Sequence, residues 1–274
     1  MNLDEVMDLF CGDGEDSLNL HLRIIRDIGS SAVVLFAVSA PDGSNKLKLA
    51  GSGTFVSDGT SYWILTAAHV WKDVLADAEK LGITLTTNID HSSLLDISAL
   101  QANTFKPIGD WNEWGPDLAL IRVPPVVVGT IEAHKTFYYW RQEPPQFLDC
   151  ESLECFYLLG TPEDLGVFTE VHADVEIRGF LALMVDQKDF GDFDFIDVDA
   201  NVIQGGQMTG FGGVSGGGLW RVRIFINPKT GLPDWAWRLE GTAFFQFPIQ
   251  GTSAIIRCHG PNSISKAITS TTNS

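Results

Sequence analysis

Short runs of apolar, β-branched and aromatic residues, separated by turn residues, fill most of this chain. Runs of four to eight such residues bounded by glycine, proline, asparagine or aspartate are typical of β-strands. Clear examples are residues 31–39, the hairpin formed by 51–56 and 62–69, and residues 118–123 and 235–247. The pattern therefore predicts a mainly β protein.

Helical spacing is clearest near the N-terminus. Residues 15–27 carry Leu18, Leu22 and Ile25 at intervals of four and three, which predicts a short helix with these residues as its apolar face. At the other end, the segment after Pro261 is rich in serine and threonine. We expect a tail there with a mobile end.

The charge balance of the 274-residue chain is strongly acidic, with 35 Asp and Glu against 18 Lys and Arg and a net charge of −17. Nucleic acids are bound mainly through clustered Lys and Arg, so no nucleic-acid partner is expected. The N-terminus carries acids where a secretory signal carries bases, and no apolar run reaches the length of a membrane span. These features predict a cytoplasmic protein without a membrane partner.

Two further patterns leave alternatives open. Cys150 and Cys155 are spaced like half of a zinc site, but no second pair completes a tetrahedron, so we expect ordinary thiols, no metal and no cofactor. In residues 189–201 aspartates nearly alternate with apolar residues, which is typical of a strand with one buried and one wet face. A calcium site and an acidic wall that favours cationic substrates are the alternatives for this run.

Candidate chemistry is concentrated in three short segments. Five glycines surround Ser215 within residues 212–218, and such a turn allows main-chain N–H groups to approach a ligand. His69 ends one strand-like run and Asp117 precedes another. A serine nucleophile needs a base that takes its proton, and the base needs an acceptor that fixes its tautomer. His69, Asp117 and Ser215 supply these three roles.

Three motifs carry a resemblance to a known family: Thr66-Ala67-Ala68-His69, Asp117-Leu118-Ala119-Leu120 and Gly213-Val214-Ser215-Gly216-Gly217. They resemble, in order and spacing, the signature segments of the chymotrypsin/trypsin-like serine proteases of the PA clan. In α/β-hydrolases the serine comes first, so the order argues against an esterase of that type. The resemblance spans about residues 30–260 and implies an all-β fold of two six-stranded antiparallel β-barrels, here with a short N-terminal helix.

The resemblance also implies a division of the chain. The predicted units are an acidic arm and helix (1–29), a first β-barrel with His69 and Asp117 (30–125), an inter-barrel linker (126–147), a second β-barrel with Ser215 (148–260) and a tail (261–274). Residues 124–145 contain two Pro-Pro pairs and, between them, an aromatic patch at residues 137–140, which we expect to pack against the barrels.

Further site residues follow from the resemblance. It implies an oxyanion hole formed by the N–H groups of Gly213 and Ser215. It also implies a substrate pocket based at Thr209 with a wall that contains Phe244, Phe245 and Gln246. Because Thr209 is neutral, small or apolar substrate side chains are expected rather than Lys or Arg.

One position departs from the family pattern. The secreted enzymes carry an aspartate directly before the serine, which pairs with a new N-terminus after zymogen cleavage. Val214 stands there and cannot form that ion pair. We therefore expect no activation by N-terminal processing.

The function expected from these features is that of a serine endopeptidase, a hydrolase that cleaves protein or peptide substrates through an acyl-enzyme intermediate. The alternative is a latent or catalytically silent module of the same fold that a regulatory protein partner controls. Labelling of Ser215 by a fluorophosphonate distinguishes the two.

Overall fold

The structure is a computed structural model that describes residues 3–39, 46–75, 77–85, 92–96, 101–104, 115–140, 151–168, 173–201, 210–251 and 253–272. The helices are α1 (Leu3–Cys11), α2 (Glu15–Gly29), α3 (Pro125–Glu132) and α4 (Pro261–Thr272). The strands are β1 (Ala32–Ser39), β2 (Lys46–Ser57), β3 (Tyr62–Thr66), β4 (Lys80–Thr84), β5 (Ser92–Asp96), β6 (Gln101–Thr104), β7 (Ala119–Arg122), β8 (Tyr138–Tyr139), β9 (Ser152–Gly160), β10 (Val167–Phe168), β11 (Ala173–Asp174), β12 (Arg178–Phe190), β13 (Phe193–Asn201), β14 (Gly218–Ile226), β15 (Pro233–Gln246) and β16 (Ser253–His259).

The first half of the chain forms one antiparallel sheet in the order β5-β4-β1-β2-β3-β7-β6, and β8 adds to β2 in parallel. Among the described residues its end strands β5 and β6 do not pair with each other, and closure of this sheet into a six-stranded barrel stays a prediction. The hairpin β2–β3 leads to His69, and β3 pairs with β7, which follows Asp117.

The second half forms a closed six-stranded antiparallel barrel, as predicted. Its order is β12-β13-β16-β15-β14-β9, and β9 completes the circle because it pairs with both β12 and β14. The interior is filled by apolar side chains that include Leu158, Phe180, Val198, Leu219 and Ile256. The described chain thus contains two antiparallel β units followed by a C-terminal helix.

The N-terminal helices pack on this β core. Val6 and Phe10 of α1 join Leu20, Ile24 and Ile28 of α2 in one buried cluster with residues of both halves. The helix over residues 15–27 is confirmed, but its predicted apolar face is wrong, because Leu18 and Leu22 are 58% and 53% exposed. The buried face is the stripe Leu20, Ile24, Ile28.

The C-terminal segment is also ordered differently from the prediction. Residues 261–272 form α4, whose Ile264, Ala267 and Ile268 are buried, so a helix replaces the expected tail. Asp194 of β13 starts this helix, because its carboxylate accepts hydrogen bonds from the N–H groups of Asn262 (3.0 Å) and Ser263 (2.7 Å). A carboxylate at a helix N-terminus satisfies donors that have no partner within the helix.

The acidic run 189–201 covers the end of β12, the turn and all of β13, so its assignment as a strand is confirmed for residues 193–201. Its aspartates are engaged by protein groups: Asp194 binds α4, Asp197 pairs with Arg257 at 2.8 Å, and Asp199 accepts from Ser253 at 2.7 Å. Asp194 and Asp197 are buried, so the expected wet face is not wet at these positions.

The segment between the two halves contains α3 and β8. Its aromatic patch packs as expected: Phe137 contacts Phe55 of the first sheet with ring centroids 5.1 Å apart, and Tyr138 contacts Trp220 of the second barrel at 5.3 Å. Elsewhere, Cys155 is buried and donates to the Val222 carbonyl at 3.7 Å, whereas Cys150 lies outside the described residues.

In the described part of the chain, the helices are too short or too polar to cross a membrane.

Candidate active site

His69 and Asp117 meet at the end of the first sheet. Antiparallel pairing of β3 with β7 aligns Thr66 with Ala119, so the residues that follow β3 lie beside those that precede β7. His69 Nδ1 lies 2.5 Å from Asp117 Oδ2, and the His69 main-chain N–H donates to Oδ1 at 2.8 Å. The carboxylate is buried. Because a carboxylate accepts hydrogen bonds, Nδ1 is the donor and Nε2 is left as the basic nitrogen of the neutral ring.

The imidazole remains reachable from solvent. The His69 side chain is 29% exposed, against 4% for that of Asp117. A base that is held on one side by a buried acceptor and open on the other can exchange a proton with a bound reactant. The His69–Asp117 pair therefore has the geometry that a general base and its orienting acceptor need.

The loop that carries Ser215 is fastened to the first sheet by Ser52 of β2. The Ser52 N–H donates to the Ser215 carbonyl at 2.8 Å, and the Ser52 hydroxyl donates to the Gly213 carbonyl at 2.8 Å. The same hydroxyl accepts from the Thr161 N–H of the second barrel at 2.9 Å. Ser52 thus ties the Ser215 loop to both halves of the molecule, and sequence reasoning did not single it out.

Close backbone contacts put this loop next to the His69 segment. A Cβ atom on Gly51 would lie 2.8 Å from both the Ser215 carbonyl oxygen and a methyl group of Val70. A Cβ atom on Gly216 would lie 2.1 Å from Thr66 Oγ1, three residues before His69. The glycine beside Ser215 therefore permits a contact that a larger residue would block.

The serine and histidine side chains are nevertheless not joined in this structure. Within the described residues, no hydrogen bond links the Ser215 hydroxyl with the His69 ring. Catalytic hydrogen bonds are often long or poorly aligned without substrate and tighten when it binds. The structure thus joins two of the three predicted residues directly and the third through the backbone contacts of its loop.

The predicted oxyanion donors differ from their neighbours in hydrogen bonding. The N–H groups of Val214, Gly216 and Gly217 donate to carbonyls at 3.0, 2.8 and 2.8 Å. Those of Gly213 and Ser215 donate to no group in the described ranges. Gly213 has φ +84°, a conformation that favours glycine. Unused N–H donors are one requirement of an oxyanion site, and the assignment of these two groups to such a site stays a prediction.

The buried Val214 side chain anchors the Ser215 loop to the second barrel. It lies in the barrel interior with Phe180 and Phe211. An aspartate at this position would be desolvated within an apolar cluster.

The predicted pocket residues have different environments. Thr209 lies outside the described residues. Phe244 is buried, and its ring stacks on His259 with centroids 4.3 Å apart. Gln246 accepts from the Phe211 N–H at 2.8 Å, and Phe245 and Gln246 are half-buried. The assignment of these residues to a substrate pocket stays a prediction.

A second histidine belongs to the site and was missed by sequence reasoning. His259 is fully buried at the end of β16, and its Nε2 accepts the main-chain N–H of Asp117 at 2.8 Å. Burial lowers the pKa of this ring to about 4. Its position next to Gly260 and α4 gives no local motif from which this contact could have been predicted.

Comparison with known proteins gives similarity of shape only. No protein-family model matches the chain, and no curated protein matches its sequence. The Rv3671c protease of M. tuberculosis, in its active form, is similar with a TM-score of 0.46 and 14% identity, over 90% of this chain and 82% of that one. A second similar structure comes from work on Sesbania mosaic virus, in which aromatic interactions drive the coupled folding and binding of the intrinsically disordered VPg protein. It has a TM-score of 0.40 and 13% identity, over 84% of this chain and 85% of that one.

Proposed function

We propose that this chain is a serine endopeptidase in which Ser215 is the nucleophile, His69 the general base and Asp117 the acceptor that orients the base. The observation that carries the proposal is the bond between His69 Nδ1 and the buried Asp117 carboxylate, at the end of the sheet to which Ser52 attaches the Ser215 loop. The two unused N–H groups of Gly213 and Ser215 support it further.

In the proposed mechanism, His69 Nε2 takes the Ser215 proton as the hydroxyl oxygen attacks a peptide carbonyl carbon. The negative oxygen of the tetrahedral intermediate accepts from the Gly213 and Ser215 N–H groups. The intermediate then expels the amine, which receives the proton from His69, and an acyl-enzyme remains. Water attacks the ester with His69 again as base, which releases the acid product and restores Ser215.

Each group has a defined energetic role. Asp117 holds the imidazole in one tautomer and stabilises its charged form during both steps. An oxyanion donor of this kind is worth about 10²–10³ in rate. The substrate class is protein or peptide, and the neutral Thr209 favours a small or apolar residue before the cut bond.

A latent form of the same enzyme is the second candidate. It is favoured by the lack of a hydrogen bond between the Ser215 hydroxyl and His69 in the described residues. In this form a substrate or a regulatory protein moves the loop so that Ser215 engages Nε2. Only the loop that contains Ser215 has to shift, because His69 and Asp117 are already joined.

The experiment is cleavage of a mixed-sequence peptide library at neutral pH, read by mass spectrometry. The wild-type protein is expected to cut internal peptide bonds, whereas Ser215→Ala and His69→Ala are expected to lose the activity. Ser270→Ala, which removes a hydroxyl on α4 that donates to the Ala267 carbonyl, is the matched control and is expected to cleave normally. Equal cleavage by Ser215→Ala and wild type would rule out Ser215 as nucleophile.

A further inference from the structure

The main chain at Asp117 depends on a group from the other half of the molecule. Residues 115–118 precede β7 and have no strand structure of their own. The Asp117 N–H is nevertheless buried and donates to His259 Nε2 at 2.8 Å. A buried N–H without a partner is costly, so this bond holds the segment in place.

The His259 ring is itself tightly fixed. In the barrel its backbone pairs with Phe195 on one side and Thr242 on the other. The imidazole stacks on Phe244 at an interplanar angle of 19° and contacts Phe195 at a centroid distance of 5.4 Å. Phe244 is the extra residue of a β-bulge, since Ala243 and Phe245 pair with consecutive residues of β16. The bulge aims the Phe244 ring at the histidine.

The close approach of the two segments requires a glycine. A Cβ atom on Gly115 would lie 3.0 Å from His259 Cε1 and 3.2 Å from Nε2. Those distances are below ordinary contact, so the ring and the segment before Asp117 fit without spare room.

The hydrogen bond also fixes the protonation of the ring. Nε2 accepts a proton donor, so in the neutral ring the hydrogen lies on Nδ1. A protonated ring would set an N–H against the Asp117 N–H and lose the bond. Burial favours the neutral form and lowers the pKa of His259 to about 4, although the nearby Asp117 and Asp194 carboxylates act in the opposite direction. The acceptor is therefore available at neutral pH.

We infer that His259 is a positioning residue of the candidate active site: its neutral ring, carried by the second barrel, fixes the Asp117 main chain and thereby the direction from which the carboxylate meets His69. The inference rests on the proposed function. It explains how the barrel that carries Ser215 also aligns the acid–base pair of the first sheet. His259 does not touch the reacting atoms and acts through Asp117.

The test compares variants that keep or remove the acceptor. His259→Phe keeps a ring for stacking but has no acceptor, whereas His259→Gln retains an oxygen near the Nε2 position. Since small misplacements of catalytic groups can cost about 10²-fold in rate, we expect kcat of His259→Phe to fall about 10–100-fold with KM changed less than about threefold. His259→Gln is expected to keep kcat within about fivefold.

A spectroscopic readout separates positioning from mere stability. The proton shared by His69 Nδ1 and Asp117 Oδ2 is expected to give a strongly downfield resonance in the wild type, retained in His259→Gln and shifted or broadened in His259→Phe. Ser270→Ala, the control used above, removes a hydroxyl of α4 that bonds the Ala267 carbonyl and not the His259 ring, and should leave resonance and kcat nearly unchanged. Unfolding curves verify that each variant compared is folded.

Each outcome decides the inference. Unchanged kcat and an unmoved resonance in His259→Phe would overturn it. If His259→Phe does not fold, His259→Asn takes its place, because its shorter amide does not reach the Asp117 N–H, and it must differ from His259→Gln in the same way. If no peptide is cleaved by the wild type, the proposed function fails, but the resonance still tests the positioning by His259.

Discussion

Replacement of Gly216 by alanine tests how the Ser215 loop is seated between the two halves. A Cβ atom there would lie 2.1 Å from the Ser52 carbonyl oxygen and 2.1 Å from Thr66 Oγ1. The residue also has φ +87°. The left-handed conformation costs a non-glycine residue about 1–2 kcal/mol, and forced overpacking costs about 1–3 kcal/mol more. Gly216→Ala should therefore lower the free energy of unfolding by about 2–5 kcal/mol.

Urea denaturation measures this change, and the same loop offers a matched control. A Cβ atom on Gly212 would find its nearest neighbour, Glu163 Oε2, at 3.6 Å. Gly212→Ala should therefore change the free energy of unfolding by less than about 1 kcal/mol. Because the clash displaces the residue next to Ser215, labelling of Ser215 by a fluorophosphonate should slow at least about tenfold in Gly216→Ala only. Equal stability and equal labelling of the two variants would refute the described seating of the loop.

Four further predictions follow from the site and the fold. Asp117→Asn should lower kcat by about 10⁴, since the base loses the acceptor that fixes its tautomer; steady-state cleavage of a library-derived peptide measures this. The pKa of His259, about 4 when folded, lies below the ordinary 6.5, so the unfolded chain binds the proton more strongly and stability falls as pH drops from about 6.5 to 4. This contribution is about 3 kcal/mol in urea unfolding and should be missing in His259→Gln. Asp197→Leu removes one partner of the buried ion pair with Arg257 and should cost about 3–5 kcal/mol of unfolding free energy, part of which a second change, Arg257→Met, should restore. Trimming the chain to Ser30 removes α1 and α2 with their buried apolar residues, and should lower the unfolding temperature without raising peptidase activity.

These four predictions have separate points of failure. An Asp117→Asn enzyme with full kcat would remove the aspartate from the mechanism. An equal loss of stability at pH 4 in wild type and His259→Gln would contradict the assignment of that loss to His259. A stable Asp197→Leu variant would show that the ion pair contributes little. If removal of the residues before Ser30 raised the peptidase activity, the protein would be activated by N-terminal processing although Val214 cannot form the ion pair of the secreted enzymes.

Local sequence was sufficient for the parts of the site that depend on strands and turns. The run before His69 and the run after Asp117 are strands, and their antiparallel pairing brings the two residues together. Four of the five glycines around Ser215 lie where a Cβ atom would clash, and the tightest approach is that of Gly217 to the Leu159 carbonyl oxygen at 2.0 Å. Such features can be predicted because apolar runs and glycine clusters report directly on backbone geometry.

The errors arose where a distant segment decides the outcome. Helix α2 has two apolar stripes, and the one that is buried depends on the docking of α1 and the barrel rather than on spacing. His21 of α2 joins these elements, because its ring forms hydrogen bonds with the Tyr157 hydroxyl of the barrel at 2.5 Å and the Phe10 carbonyl of α1 at 2.9 Å. Likewise, Asp194 caps α4 through hydrogen bonds to residues 68 and 69 positions later in the chain. No window of local sequence contains these partners.

The two missed site residues have the same physical origin. Ser52 and His259 act through hydrogen bonds to main-chain groups of segments far away in sequence, Gly213 and Asp117. A main-chain partner leaves no residue-type pattern. The one available hint was a histidine at the end of an apolar strand, where an unpaired polar side chain is unexpected.

The most direct measurement is covalent labelling with a fluorophosphonate, followed by mapping of the adduct by mass spectrometry. A serine activated by His69 is expected to give one adduct, on Ser215, that is absent in Ser215→Ala and strongly slowed in His69→Ala. A wild-type protein that stays unlabelled with and without added peptide, or carries the adduct at another residue, would contradict catalysis by Ser215.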